Sequence, residues 1–191
     1  PDDVSLEVTF EMFENVERRG VPTRCVDYTA SFIGPGRYFS SEAQAAHERG
    51  LPLYAMSNTG GLTWDFGVIP YEPIPYQWAR RHEALLEAHR NWGLCGLMES
   101  HHFAWWPSVV SDLAKWAYWR PQVPTGSLIE KLACREFGAE GAPFALQAWQ
   151  DWSEAILDYV PTNEDQYGPF RVGPAYPLLF ADETIEFPSA D

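Results

Sequence analysis

Residues 93–107 read Gly-Leu-Cys-Gly-Leu-Met-Glu-Ser-His-His-Phe-Ala-Trp-Trp-Pro, and most of the chain's chemical potential is gathered there. Glu99 brings a carboxylate, His101 and His102 two imidazoles, Trp105 and Trp106 two indoles. Carboxylates among indoles suit a sugar, whose C–H faces stack on aromatic rings while its hydroxyls need charged acceptors. Indoles also exclude water, which raises a carboxyl pKa and readies it for general acid work. Glu99 is therefore read as a catalytic or sugar-binding carboxylate; the alternative is a carboxylate neutralised by a neighbouring arginine that serves only the fold. Adjacent histidines on an extended segment point to opposite sides, and no second ligand pair stands near them, so no metal is expected. One imidazole is left to bond a sugar hydroxyl or Glu99 itself.

A second group lies in residues 58–67, Asn-Thr-Gly-Gly-Leu-Thr-Trp-Asp-Phe-Gly. Gly60 and Gly61 permit a tight turn, and the segment carries Trp64 beside Asp65. The two glycines are not a phosphate loop, because no Lys-Ser/Thr pair follows them. Asp65 is either a second acid or the cap of a turn. Three prolines stiffen residues 70–76, where Tyr71 and Glu72 line a rim. Glu7, Glu11 and Asp27 add acids in or near strands, so a carboxylate pair is available. Glycosidases place such a pair about 5–5.5 Å apart for retention and wider for inversion.

These residues need elements to position them. Strand patterns fall at 4–10, 23–30, 51–57 and 94–98, the last an uncharged run of the kind buried on both faces. Helical patterns fall at 14–20, closed by Gly20; at 42–49, capped by Ser40 and Ser41; at 76–92, with Trp78, Leu85, Leu86 and Trp92 inward; and at 108–119. Strands alternating with helices predict parallel βαβ units, with the chemistry at the strand C-termini. Beyond Pro121, helices are expected at 127–137 and 143–159, then a tail rich in Pro, Gly and Tyr. The expected fold is α/β: the later half of a parallel (β/α) barrel over residues 1–120, followed by a C-terminal helical region and tail over 121–191. A complete barrel takes about 250 residues. A missing N-terminal part, or another copy pairing at the sheet edges, is therefore expected, and the start at Pro1 without Met fits a fragment.

Composition narrows the partners. A net charge of −14 disfavours nucleic acid and anionic membranes. The mean hydropathy of −0.30 comes with no apolar run of the roughly 20 residues a span needs. Cys25, Cys95 and Cys134 form no paired framework or metal spacing and suit a reducing, cytoplasmic setting. Aromatic residues make up 15% of the chain, more than a core of this size needs, which leaves some to line a ligand cleft. The expected partner is a carbohydrate, without a cofactor.

Three segments carry a resemblance: Tyr54-Ala-Met-Ser-Asn-Thr-Gly-Gly with Trp64-Asp65; Gly96-Leu-Met-Glu99 with Trp105-Trp106-Pro107; and Ala148-Trp149 through Ser153-Glu154-Ala155 to Tyr167-Gly-Pro and Val172-Gly-Pro. In these the chain resembles the C-terminal part of a (β/α)8-barrel glycoside hydrolase, in the broad group of family 20 hexosaminidases and α-glucuronidase-like proteins. The resemblance implies glycoside hydrolysis. The Asp-Glu acid pair of family 20 has no counterpart at a strand end here, so no catalytic residue is carried over from that family. Glu99 and Asp65 stand as the acids of the residues' own chemistry, with Trp64, Tyr71, His101, His102, Trp105 and Trp106 as sugar contacts. The rival expectations are a non-catalytic carbohydrate-binding or interaction module and a non-hydrolytic barrel enzyme.

Overall fold

A computed structural model describes residues 4–25, 29–57, 72–98, 107–121 and 123–159. In chain order these form β1 (Leu6–Thr9), β2 (Asn15–Arg18), β3 (Val21–Arg24), α1 (Arg37–Arg49), β4 (Leu53–Met56), α2 (Pro75–Trp92), β5 (Leu94–Met98), α3 (Val109–Ala117) and α4 (Thr125–Ala155), then a 3-10 turn at Ile156–Asp158. β1, β4 and β5 make one parallel sheet in the order β1-β4-β5, with Leu6 opposite Leu53 and Leu53 opposite Leu94. β2 and β3 pair antiparallel as a separate hairpin.

This corrects the barrel expectation. Among the described residues the fold is a small mixed α/β arrangement, three parallel strands plus a hairpin, and not the later half of a parallel (β/α) barrel. The difference arises at residues 14–30. Arg19 and Gly20 both have positive φ, 49° and 77°, the signature of a two-residue turn whose twist matches a hairpin. Gly20 therefore turns a hairpin and does not close a helix, and residues 14–20 are not helical. The residues expected to start a second parallel strand pair back on their neighbours instead. A two-residue connection can join only antiparallel strands, whereas a parallel pair needs a dozen residues or more.

α1 and α2 both pack on one face of the sheet. Val8, Leu53, Ala55 and Leu94 meet Phe39 and Ala43 of α1 and Leu85 and Ala88 of α2 in one core cluster. α1 begins at Arg37, a turn earlier than Ser40 and Ser41 suggest, because its cap comes from elsewhere. The Glu14 carboxylate, at the foot of the hairpin, accepts the Arg37 backbone N–H at 2.7 Å and satisfies an otherwise orphan donor. Gly50 and Gly93, both left-handed, close α1 and α2.

α2 also faces a second core cluster. Its Trp78 and Ala79 join Val110 and Leu113 of α3 and Ile129, Leu132 and Trp149 of α4. Ser108 caps α3 through a reciprocal pair with Ser111. α4 is broken at Gly138 (φ 70°, ψ 174°), which divides it much as the sequence divides residues 127–137 from 143–159. Trp92 is half-buried, its Nε1 donating to Gln44 at 3.1 Å.

Gly34 tests this packing. It has φ 84°, and a Cβ there would lie 2.6 Å from the ring of Phe10 and 3.3 Å from its carbonyl oxygen. Phe10 is fully buried, edge-on to Phe39 at 4.8 Å, and has nowhere to move. Gly50 has a similar φ of 67° but open space around it. Gly50→Ala should cost about 1 kcal/mol for the left-handed backbone alone. Gly34→Ala should cost about 3 kcal/mol, adding the overpacking penalty. Urea unfolding of both variants checks this, and equal losses would contradict the Phe10 contact.

Candidate functional site

The three parallel strands end together. Beyond the regular ladder, Phe10 N–H still donates to Met56 O at 2.9 Å, and Ser57 N–H donates to Met98 O at 3.2 Å. At this edge β1 runs into Glu11, β4 into Ser57 and β5 into Met98. Residues 58–71 leave the sheet directly after Ser57, and residues 99–106 directly after Met98. The two chemically rich segments therefore depart from adjacent, paired strands at the carboxyl edge of one sheet. Open α/β sheets bind their ligands outside this edge.

Arg81 of α2 organises the edge from below. Its Nε donates to Ile33 O at 2.9 Å, Nη2 to Thr29 O at 2.6 Å and to Phe32 O, and Nη1 to Ser57 O at 3.4 Å. Nη1 also lies 3.3 Å from the Glu11 carboxylate, with both side chains buried. The Trp78 ring covers the guanidinium at 5.5 Å. One planar fork thus links the end of β1, residues 29–33 and the residue from which 58–71 departs, a geometry that lysine's single ammonium cannot reproduce. Glu11, one of the strand-end acids, is held by an arginine as a structural carboxylate. Ser57 Oγ is buried at the same edge and has no hydrogen-bond partner among the described residues.

His82, next to Arg81 on α2, is fully buried. Its Nδ1 shares a 2.7 Å hydrogen bond with the Tyr118 hydroxyl just past α3. Burial, reinforced by the neighbouring Arg81 charge, lowers its pKa from 6.5 to about 3, so the ring is neutral across the physiological range. On α3, Asp112 lies below its ordinary pKa: burial pulls upward, but hydrogen bonds and charge from Lys115 and Arg135 outweigh it.

The expected site residues Glu99, Asp65, Trp64, Tyr71, His101, His102, Trp105 and Trp106 all lie outside the described residues, as does Asp27. Glu7 is exposed on β1, away from Arg81. Sequence reasoning passed over Arg81 as a member of the site's frame. It sits on the apolar stripe Trp78, Arg81, Leu85, Ala88, where a charge must find partners, and that was the available signal. Among the described residues no cluster of three or more His, Cys, Asp or Glu is placed to hold a metal ion. No described helix is long and apolar enough to cross a membrane.

No family model, no curated protein and no solved structure matches this chain.

Two measurements probe this edge. Arg81→Ala strands the buried Glu11 carboxylate and should cost about 3–5 kcal/mol in chemical denaturation. Adding Glu11→Gln should recover part of that loss, and simple additivity of the two changes would show that the pair is not coupled. His82 gives a pH signature. Its folded pKa lies below its unfolded one, so between about pH 6.5 and 3 the unfolded chain binds a proton that the folded chain refuses. Stability should therefore fall on acidification through this window, by up to about 1.4 kcal/mol per pH unit. In His82→Gln the pH 6.5-to-5 slope should be shallower by about one proton; an unchanged slope would place the acid sensitivity elsewhere.

Proposed function

We propose that this chain acts on carbohydrate as part of a glycoside hydrolase, with Glu99 and Asp65 supplying the carboxylate chemistry. Trp64, Trp105 and Trp106 serve as stacking platforms, and Tyr71, His101 and His102 bond sugar hydroxyls. The observation that carries this reading is the shared departure point. Segments 58–71 and 99–106 leave neighbouring strands whose last residues, Ser57 and Met98, are hydrogen-bonded to each other. Open α/β sheets bind ligands outside the edge from which both segments depart. The high aromatic content and net charge of −14 favour a neutral polyhydroxyl ligand over an anionic one.

The chemistry follows from the residue types. One carboxylic acid protonates the glycosidic oxygen as the bond to the anomeric carbon breaks. The other, ionised, attacks that carbon or activates a water against it. Indoles beside the acid raise its pKa by keeping water away. Glu11 takes no part, since it is buried against Arg81.

The test is hydrolysis of a panel of 4-nitrophenyl glycosides, with oligosaccharide binding by calorimetry. Glu99→Gln should lower turnover by about 10²-fold or more with binding retained. Trp106→Ala should weaken binding roughly tenfold, while His47→Ala, exposed late in α1, should not. Binding without turnover in the parent protein would identify a binding module. Equal affinity for Trp106→Ala and His47→Ala would remove the aromatic argument.

A further inference from the structure

Two cavities back onto the same pair of residues, Glu72 and Pro73, where the chain re-enters the described structure after residues 58–71. One, of about 590 Å³, lies between the starts of α2 and α3 and the break in α4, with Trp149 and Phe137 in its wall. The other, of about 750 Å³, lies between the hairpin tip and the end of α4, walled by Ile74, Trp152, Ile156 and Tyr159 and rimmed by Arg19 and Asp158. Both are in the size range of small-molecule sites.

The second cavity has the composition of a ligand site. Trp152 is 54% exposed, although Trp149 one turn earlier and Ile156 one turn later are buried. A half-open indole on an otherwise buried face is a flat apolar surface awaiting a partner. Arg19 and Asp158 form an ion pair across the rim, and both remain well exposed, so their charged groups are accessible to a ligand. Arg19 reaches Asp158 from the turn of the hairpin, held there with φ 49°. Glu72, only 2% exposed, closes the wall at the foot of α2.

We infer that this cavity is a carbohydrate subsite in which Trp152 stacks on the face of a pyranose ring and Arg19 and Asp158 hydrogen-bond its hydroxyls. The inference rests on the carbohydrate reading proposed above and extends it. The cavity begins at Glu72, one residue after the segment bearing Trp64, Asp65 and Tyr71. The subsite takes the further units of an oligosaccharide held at the strand edge. An arginine and a carboxylate of opposite sign beside an indole suit a neutral polyol, since a phosphorylated or sulfated ligand would meet Asp158 as repulsion.

The test uses the full chain and a panel of neutral hexasaccharides (cello-, malto-, xylo-, manno- and chito-oligomers), with their disaccharides for comparison. Affinities are measured by calorimetry for the parent, Trp152→Ala, Trp152→Phe and Trp116→Ala, the last an exposed indole on α3 far from the cavity. Trp152→Ala should weaken hexasaccharide binding about tenfold or more and leave disaccharide binding nearly unchanged. Trp152→Phe should recover most of the loss, and Trp116→Ala should match the parent. The Trp152 indole N–H resonance, assigned by its absence from Trp152→Phe, should shift on titration, so the inference stays testable if Trp152→Ala folds poorly. Parent-like affinity in Trp152→Ala, or a resonance that does not move while hexasaccharide binds, overturns the subsite and leaves the strand-edge site standing. A parent chain that binds no member of the panel overturns the carbohydrate reading and the subsite with it.

Discussion

The described structure depends on a cation placed where water cannot reach it. Burying a guanidinium carries a desolvation penalty of several kcal/mol, offset only if its donors and its charge are answered at close range. Arg81 is answered by four carbonyls and the Glu11 carboxylate, drawn from residues 11, 29, 32, 33 and 57. Those acceptors belong to stretches without regular structure, where backbone oxygens lack ladder partners. The exchange is mutual, since the arginine needs acceptors and the irregular segments need a donor. The central helix is thereby fixed in rotation as well as position, which sets Trp78 toward α4 and Leu85 toward the sheet.

Apolar pattern revealed the elements whose stability comes from a single buried face. β1, β4, β5 and α2 lie close to where the runs at residues 4–10, 51–57, 94–98 and 76–92 place them. What the pattern could not show is how a short segment pairs. Gly20 at positive φ fits a helix C-cap and a hairpin turn equally well, and only the antiparallel partner decides between them. That ambiguity added a fourth parallel strand to the alternation from which a barrel was expected. The start of α1 was hidden for a different reason: Glu14 caps it from 23 residues away, beyond any local signature. In the site, the strand-end logic located the edge from which residues 58–71 and 99–106 depart. The sequence weighed neutralisation by an arginine for Glu99, which lies outside the described residues; the structure shows such a pairing at Glu11.

The sheet is covered on one side only among the described residues. Val8, Leu53, Ala55 and Leu94 face the helices. Their alternates, Glu7, Tyr54 and Met98, lie on the other side, with Tyr54 and Met98 38–40% exposed. Tyr54 lies across Gly96, whose missing side chain makes room for the ring. Parallel sheets are ordinarily covered on both faces, so this surface is unusually apolar for one open to solvent.

The ion pair between Arg19 and Asp158 spans 139 residues of sequence, yet it is among the most exposed contacts in the molecule. Surface pairs of this kind contribute little to stability and weaken as salt rises. The hairpin is thus fastened to the end of the helical region by a catch far weaker than either core. The tie at the hairpin tip therefore loosens as ionic strength rises, while the two apolar clusters, which owe little to charge, do not.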